Sequence, residues 1–493
     1  MLKRWLSLLL IAGMLLVGCS ETGSQTEDET AKDAGQAEVP QAGDDTADVE
    51  TEYDIFSVLP ERDYGDVDFI FFSPTNLDVP VDKGLYSEEM IGVTFEDAVY
   101  ERNEAVGERY GVKISVFQGG RFDTTYTYLK PNVTAGDNVY DVYLMHCYSR
   151  NVEMFQERLA IEWTEIPHIQ MDQPWWNQYA IENLRIAGRE YYAVSSINVK
   201  DVMCLLFNKE MADAYSEQVG DLYSYVDNGT WTMDKLGEVI TGMTRDLDGN
   251  GIIEEDKDQF GLVYTVSWQL PSMMYACDVT TLTLDDQGYP VMQLDSEQSL
   301  NVFEKLFRLC TSPDFHMDPG DFPKVGMDTD RALFVMYNLF RIDRLRDGDV
   351  DYGILPLPKY DEQQEHYTNN SWIGPMLVPT TTPAENYDMI GVLMESLSYT
   401  GYKDITPLFY DNVLKAKLSR DEESARMLDI ITSNDSLIYE AGFTFQFGMH
   451  PASFMSGLIK QEKDTYASQI QKQKKVMLAQ YTKLYDKVIE DQE

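Results

Sequence analysis

The stretch Asp246-Leu247-Asp248-Gly249-Asn250-Gly251-Ile252-Ile253-Glu254 spaces hard oxygen donors at alternate positions, the pattern by which a tight turn wraps a calcium ion. Counted from Asp246, carboxylate or amide oxygens fall at positions one, three and five, glycine at six, an aliphatic at eight and an acid at nine. Position twelve is Lys257 where the pattern needs an acid, but Asp256 and Asp258 flank it, and a one-residue adjustment brings Asp258 in. The loop is read as a structural calcium site built from Asp246, Asp248, Asn250, Ile252, Glu254 and Asp258, with a metal-free Asp/Asn/Gly turn as the alternative. A second constellation, His146-Cys147-Tyr148-Ser149-Arg150, directly follows a strand-like run. Its polar members His146, Tyr148 and Arg150 are candidates for ligand contact, because open parallel sheets collect ligands beyond the carboxyl ends of their strands. Catalytic signals are thin. There is no GxSxG, HExxH or phosphate loop, and the five histidines are scattered without a companion at metal-ligand spacing. With 84 acids a carboxylate pair for glycoside hydrolysis could always be assembled, yet no spacing selects one.

The elements that must position these groups alternate between strand and helix periods. Asp68-Phe69-Ile70-Phe71-Phe72 reads as a buried strand ended by Ser73-Pro74. Thr94 opens a helix whose stripe Phe95, Ala98, Val99, Ala105 and Val106 runs to Gly111. Val112 to Val116 and Val139 to Met145 follow as strands, rich in β-branched and aromatic residues. Strand, helix, strand, helix, strand indicates an α/β fold with a parallel sheet. Tyr191 to Val194 and Met203 to Phe207 are strand-like, Leu300 to Leu309 is helical, and Asp351 to Pro358 is a strand ending in prolines. From about Ser456 the chain is helical, with Ile470, Met477, Tyr481, Leu484 and Val488 on one apolar face.

The chain has 493 residues and a formal charge of −45. Its start, MLKRWLSLLLIAGMLLVGC, has two basic residues, an apolar run to Val17 and small residues before Cys19. The run is shorter than the roughly 20 apolar residues a membrane span needs, so residues 1–18 read as a cleaved export signal. Residues 19–52 contain eleven acids, one lysine and no aromatic, which predicts a disordered acidic linker. Losing Lys3 and Arg4 with the signal gives −47, and setting the linker aside leaves −37 on the body. Such a surface argues against nucleic acid as a partner. Four further cysteines, Cys147, Cys204, Cys277 and Cys310, lie far apart and predict no particular disulfide.

The end of the signal resembles the bacterial lipoprotein box, which implies lipidation of Cys19 and anchoring on the outer face of the cytoplasmic membrane. The body resembles the extracellular solute-binding proteins of bacterial ABC importers, in the large sugar-binding branch. The likeness is carried, in order, by Tyr140-Asp141-Val142, Leu159 to Trp163, Gln173-Pro174-Trp175-Trp176-Asn177 and Gly188 to Ala193. It continues through Leu206-Phe207-Asn208-Lys209-Glu210, Gly229 to Leu236, Asp351 to Pro358, and Ser419 to Ser424 ahead of Met427 to Ile431. The resemblance implies a two-lobe periplasmic-binding-protein-like fold with hinge crossovers and a ligand cleft. The expected division is lobe 1 over 53–202, lobe 2 over 203–353, a return to lobe 1 over 354–410, and a C-terminal helical segment, 411–493, mainly on lobe 2.

A sugar-binding cleft needs aromatic faces for pyranose rings and carboxylates, amides or arginine for hydroxyls. Trp268, after Val263-Tyr264-Thr265-Val266, and Trp372, beside Asn369, Asn370 and Gly374, are the first aromatic candidates; Tyr337 and Phe447 come behind them. Asp201, just before the first crossover strand, is placed near the cleft floor by the resemblance. Trp175 and Trp176 are read as packing, and Trp231 as a core anchor. The implied function is capture of a solute, a mono- or oligosaccharide by preference, by a monomer that makes and breaks no bond, requires no cofactor, with the calcium of the 246–258 loop as a structural option, and delivers to a membrane permease. A surface glycoside hydrolase and a non-transport sensor or adhesion protein on the same fold stand as alternatives.

Overall fold

A computed structural model describes residues 53–74, 82–87, 94–121, 124–146, 149–265, 269–318, 330–345, 350–371, 373–410, 422–433, 437–438 and 455–490. The signal, Cys19 and the linker lie outside the described residues, as do Cys147, Tyr148, Trp268, Trp372 and Phe447.

The chain begins with β1 (Val67–Ser73), β2 (Val112–Gln118) and β3 (Val142–His146). Phe69, Phe71 and Phe72 are all buried, as expected of a parallel strand covered on both faces. The helix Thr94–Tyr110 connects β1 to β2, and β1 pairs in parallel with both β2 and β3. The third strand is shorter than its sequence suggests. Asp141 turns its carboxylate onto the Ile70 amide at 2.8 Å, and Val139 stays exposed.

From Tyr192 to Asn208 every residue is buried, and this run leads into β4 (Met203–Asn208) at the heart of a second sheet. That sheet adds β5 (Phe260–Thr265), then, past the small hairpin β6 (Leu282–Leu284) and β7 (Pro290–Met292), β8 (Phe315–Asp318), β9 (Ala332–Asn338) and β10 (Tyr352–Leu355). Its order is β10-β4-β9-β5-β8, and β4 runs antiparallel to both β9 and β10. Trp231 is fully buried there, its indole donating to the Pro356 carbonyl at 2.9 Å.

The return to the first sheet comes later than 354. Lys359 and Tyr367 still bond within the second lobe, through the Thr232 bridge and the Val226 carbonyl. The chain then forms β11 (Asn369–Asn370) and β12 (Ile373–Leu377), which joins the first sheet antiparallel to β3. A Cβ on Gly374 would stand 2.8 Å from the His146 backbone, so only glycine permits this approach. β11 pairs in parallel with β13 (Leu437–Ile438).

The helix Tyr387–Thr400 is buried from Met389 onward within the first lobe. The C-terminal helix Tyr466–Glu490 follows Met455–Lys460 after a break. Ile470, Met477, Tyr481, Leu484 and Val488 are all buried. It serves both lobes: Tyr466 stacks on Phe303 at 4.3 Å in the second, whereas the Tyr485 hydroxyl donates to the Arg185 carbonyl in the first. Among the described residues no helix is long and apolar enough to cross a membrane.

Candidate functional site

The carboxyl edges of the two sheets are joined by a turn, Asp82 to Leu85. Asp82 accepts from Gln118, the last residue of β2, at 2.9 Å and lies beside the Ser73 hydroxyl that ends β1. Burial pushes its carboxyl upward, against the pull of those donors. The buried side chains of the helix Thr94–Tyr110 hold the turn from behind. Arg102 donates to the carbonyls of Gly84 at 2.6 Å and Leu397 at 3.3 Å, and Asn103 donates to that of Leu85 at 2.8 Å. In front, a Cβ on Gly84 would meet the Ile197 carbonyl at 2.8 Å, so the turn lies tight against the run entering the first crossover.

This packing delivers Lys83 to the second lobe, its ammonium 5.4 Å from the Phe340 ring centroid and 5.0 Å from that of Phe409. Close by is Asp201, 1% exposed. Burial drives its carboxyl up to about 7, while the charges of Arg341 and Lys83 and a hydrogen bond from Asn338 act the other way. One carboxylate oxygen, Oδ1, has no hydrogen-bond partner. Asn338 ends β9 and Arg341 follows it, so β9 carries two partners of Asp201 to its carboxyl end. The arrangement is a buried polar knot with rings beside it, where lobe 1 (Lys83), the crossover (Asp201) and lobe 2 (Asn338, Arg341) meet. It can accept hydroxyl protons at Asp201, donate from Lys83 and Arg341, and offer apolar ring faces.

The other expected site residues divide. His146 ends β3, is 4% exposed and reaches the same sheet edge. Arg150 turns away: its guanidinium is paired with both Glu153 oxygens and lies 4.3 Å over the Tyr126 ring, a local surface arrangement. Tyr337 is 1% exposed in β9 and donates to the Arg341 carbonyl at 3.1 Å, so it supports the knot. Trp175 and Trp176 are buried, as read, but for an unforeseen reason: both indole N–H groups donate to Glu395, at 2.7 and 3.0 Å. Cys204, Cys277 and Cys310 are buried free thiols. Lys83, Asn338 and Arg341 were missed; the one clue was Asn338, a polar residue closing the apolar run Ala332 to Tyr337.

The loop from Asp246 forms a compact turn. Asp246 accepts the amides of Gly249 and Gly251, Asp248 and Asn250 bond to one another, and Ile252 is exposed. Asp258, fully buried, accepts the amides of Leu247 and Glu254 at 2.8 and 2.7 Å. Carboxylate oxygens of Asp246, Asp248 and Asp258 lie within 4.8 Å of one another. Lys257 pairs with Glu254 at 2.7 Å and approaches Asp248 at 3.9 Å. The donor set suits a hard cation, with Lys257 as its internal competitor.

No protein-family model and no curated protein matches the sequence. Solved structures do. A cyclo/maltodextrin-binding protein complexed with maltotetraose aligns with a TM-score of 0.57 at 12% identity, over 85% of this chain and 98% of that one. An ABC substrate-binding protein from Listeria monocytogenes in complex with cycloalternan aligns at 0.46 and 11% identity, over 82% and 99%. The first likeness establishes the class of fold: two α/β lobes of the substrate-binding-protein type joined by crossovers.

Proposed function

We propose that the protein is a lipid-anchored solute receptor that captures a carbohydrate between its lobes and presents it to an ABC permease, without making or breaking a bond. The observation that carries this reading is the Asp201 carboxylate, buried at the crossover with one oxygen unpartnered and with cationic and aromatic side chains from both lobes around it. Buried polar groups without partners are uncommon, and a ligand hydroxyl supplies the missing donor. Closure over a ligand that touches both lobes shifts the population toward the closed form. The fold shared with a maltodextrin-binding protein supports an oligosaccharide as the ligand. The lipoprotein-like start supports Cys19 as the anchor on the outer face of the cytoplasmic membrane, and the loop 246–258 supports a structural calcium.

Calorimetric titration of residues 53–493 against linear and cyclic oligosaccharides tests the reading. Saturable binding, lost in Asp201→Ala and with no product on chromatography, is expected. Turnover would establish the hydrolase instead. Binding without any effect of deletion on sugar uptake would establish the sensor. Mass spectrometry of the amino-terminal peptide from cell membranes checks acylation of Cys19.

A further inference from the structure

A cavity of 1080 Å³ is lined by none of the residues of the cleft proposed around Asp201. One wall belongs to lobe 1 and carries Trp176, Tyr179 and Tyr402; the facing wall belongs to lobe 2 and carries Asp278 and Gln363. Ile438 of β13, in the two-stranded connection between lobes, completes it. The walls are stiff. Glu395 fixes the Trp176 indole at 3.0 Å. Gln364 is fastened to the carbonyls of Ala276 at 2.9 Å and His366 at 2.8 Å. Asn370 pairs with Ile438 in register and follows the wall residue Thr368 by two. It is fully buried, and neither atom of its amide has a partner.

Among the described residues the lining contains aromatic rings, amides, carboxylates, hydroxyls and the imidazole of His366, and no lysine or arginine. That composition gives an anion no counter-charge, and it matches the mixed faces of a sugar, whose C–H side lies on rings and whose hydroxyls bond to amides and carboxylates. The volume lies just above the usual span of small-molecule clefts, roughly 300–1,000 Å³. We propose that this cavity is a second binding site, for a short neutral oligosaccharide. Because its walls move with different lobes, its occupancy and that of the cleft are coupled through the lobe angle, reciprocally. The inference rests on the two-lobe fold and not on the ligand assigned to the cleft.

Calorimetry of residues 53–493 with maltotetraose, cellotetraose and mannotetraose provides the test, with circular dichroism melting to show that each variant is folded. At least one sugar should occupy two sites per chain. Asp201→Ala should leave one and Tyr402→Ala the other, with Tyr402→Phe retaining both; Gln363→Ala should weaken the second site by about 10-fold, the equivalent of one lost hydrogen bond. One site per chain for every sugar that binds, indifferent to Tyr402→Ala, overturns the inference and leaves the cleft standing. A single site that survives Asp201→Ala and disappears in Tyr402→Ala retains the inference and overturns the cleft. Tighter binding of spermidine or glucosamine than of any neutral sugar at the Tyr402 site overturns the ligand class. No binding by any of the three sugars overturns both assignments.

Discussion

Asp201 and Glu395 are buried alike, at 1% and 0% exposure, and burial pushes both carboxyls up to about 7. Their surroundings are opposite. Glu395 sits within lobe 1 and accepts from the indoles of Trp175 and Trp176 and from the Gln170 amide at 3.3 Å. Asp201 sits where the lobes meet, faces the charges of Arg341 and Lys83, and keeps one oxygen without a donor. Burial therefore does not by itself separate a structural acid from a binding acid. On the proposed function, the number of lone pairs that the protein leaves unanswered does.

The largest effect should come from Glu395→Ala. It deletes a shared acceptor, leaves two buried indole N–H groups unanswered and opens a void beside Tyr399, so chemical denaturation should show a loss of about 3 kcal/mol. Glu395→Gln keeps one acceptor and should lose less than half of that. A loss below about 1 kcal/mol for the alanine variant would break the contrast, because Glu395 would then hold nothing. Asp201→Asn should behave in reverse. Shape is kept and the penalty for burying a charge is removed, so stability should hold or rise while ligand affinity falls 10- to 100-fold, the equivalent of a charge-assisted hydrogen bond of about 1.5–3 kcal/mol. Unchanged affinity by calorimetry would remove Asp201 from the site.

Both acids make a joint prediction for pH. A carboxyl whose folded pKa lies above its unfolded value binds its proton more tightly when folded. Its stabilising contribution is full below the unfolded value near 4 and is lost as pH rises through about 7. Stability should therefore decline between about pH 5 and 7.5, by up to about 1.4 kcal/mol per pH unit for each group. Asp388, held low by the hydrogen bonds of His168, Tyr64 and Arg62 despite partial burial, opposes this only in more acidic solution. Denaturation midpoints over this range should flatten in Glu395→Gln, and flatten further when Asp201→Asn is added. A wild-type profile that is already flat would show that neither acid is protonated in the folded protein.

The period of the hydrophobic pattern made much of this frame legible in the sequence. Phe69 to Phe72, the stripe from Phe95 to Val106 and the face from Ile470 to Val488 were readable because each follows a strand or helix repeat. Boundaries were less readable. The prolines after Ile354 look like a hinge, yet the chain keeps pairing with the second lobe until β11, because Lys359 and Tyr367 are fastened there. Asp201 was reachable through a family likeness, whereas its partners converge from two distant parts of the chain, Lys83 before the helix Thr94–Tyr110 and Asn338 and Arg341 at the end of β9. Glu395 was the least visible. Its partners lie 219 and 220 residues away, and its only local signal is a single charged residue within the run Met389 to Leu397.

Asp258 sharpens the contrast as an intermediate case. It is fully buried like the other two, and both its oxygens accept backbone amides, which makes it structural by the rule above. Yet its carboxylate also lies within 4.8 Å of those of Asp246 and Asp248, a cluster that a divalent cation would relieve of mutual repulsion. The rule and the cluster make different forecasts. If the loop holds calcium with a Kd of about 0.5 mM, in the range of extracellular sites, 2 mM calcium should stabilise the protein by about 1 kcal/mol. Magnesium should do markedly less, because it dehydrates reluctantly and demands a tighter octahedron. Lys257, which pairs with Glu254, competes for the same oxygens, so Lys257→Glu should tighten calcium binding. Asp248→Asn should weaken it. A melting temperature that calcium leaves unmoved in both the wild type and Lys257→Glu would return the whole loop, Asp258 included, to the structural class.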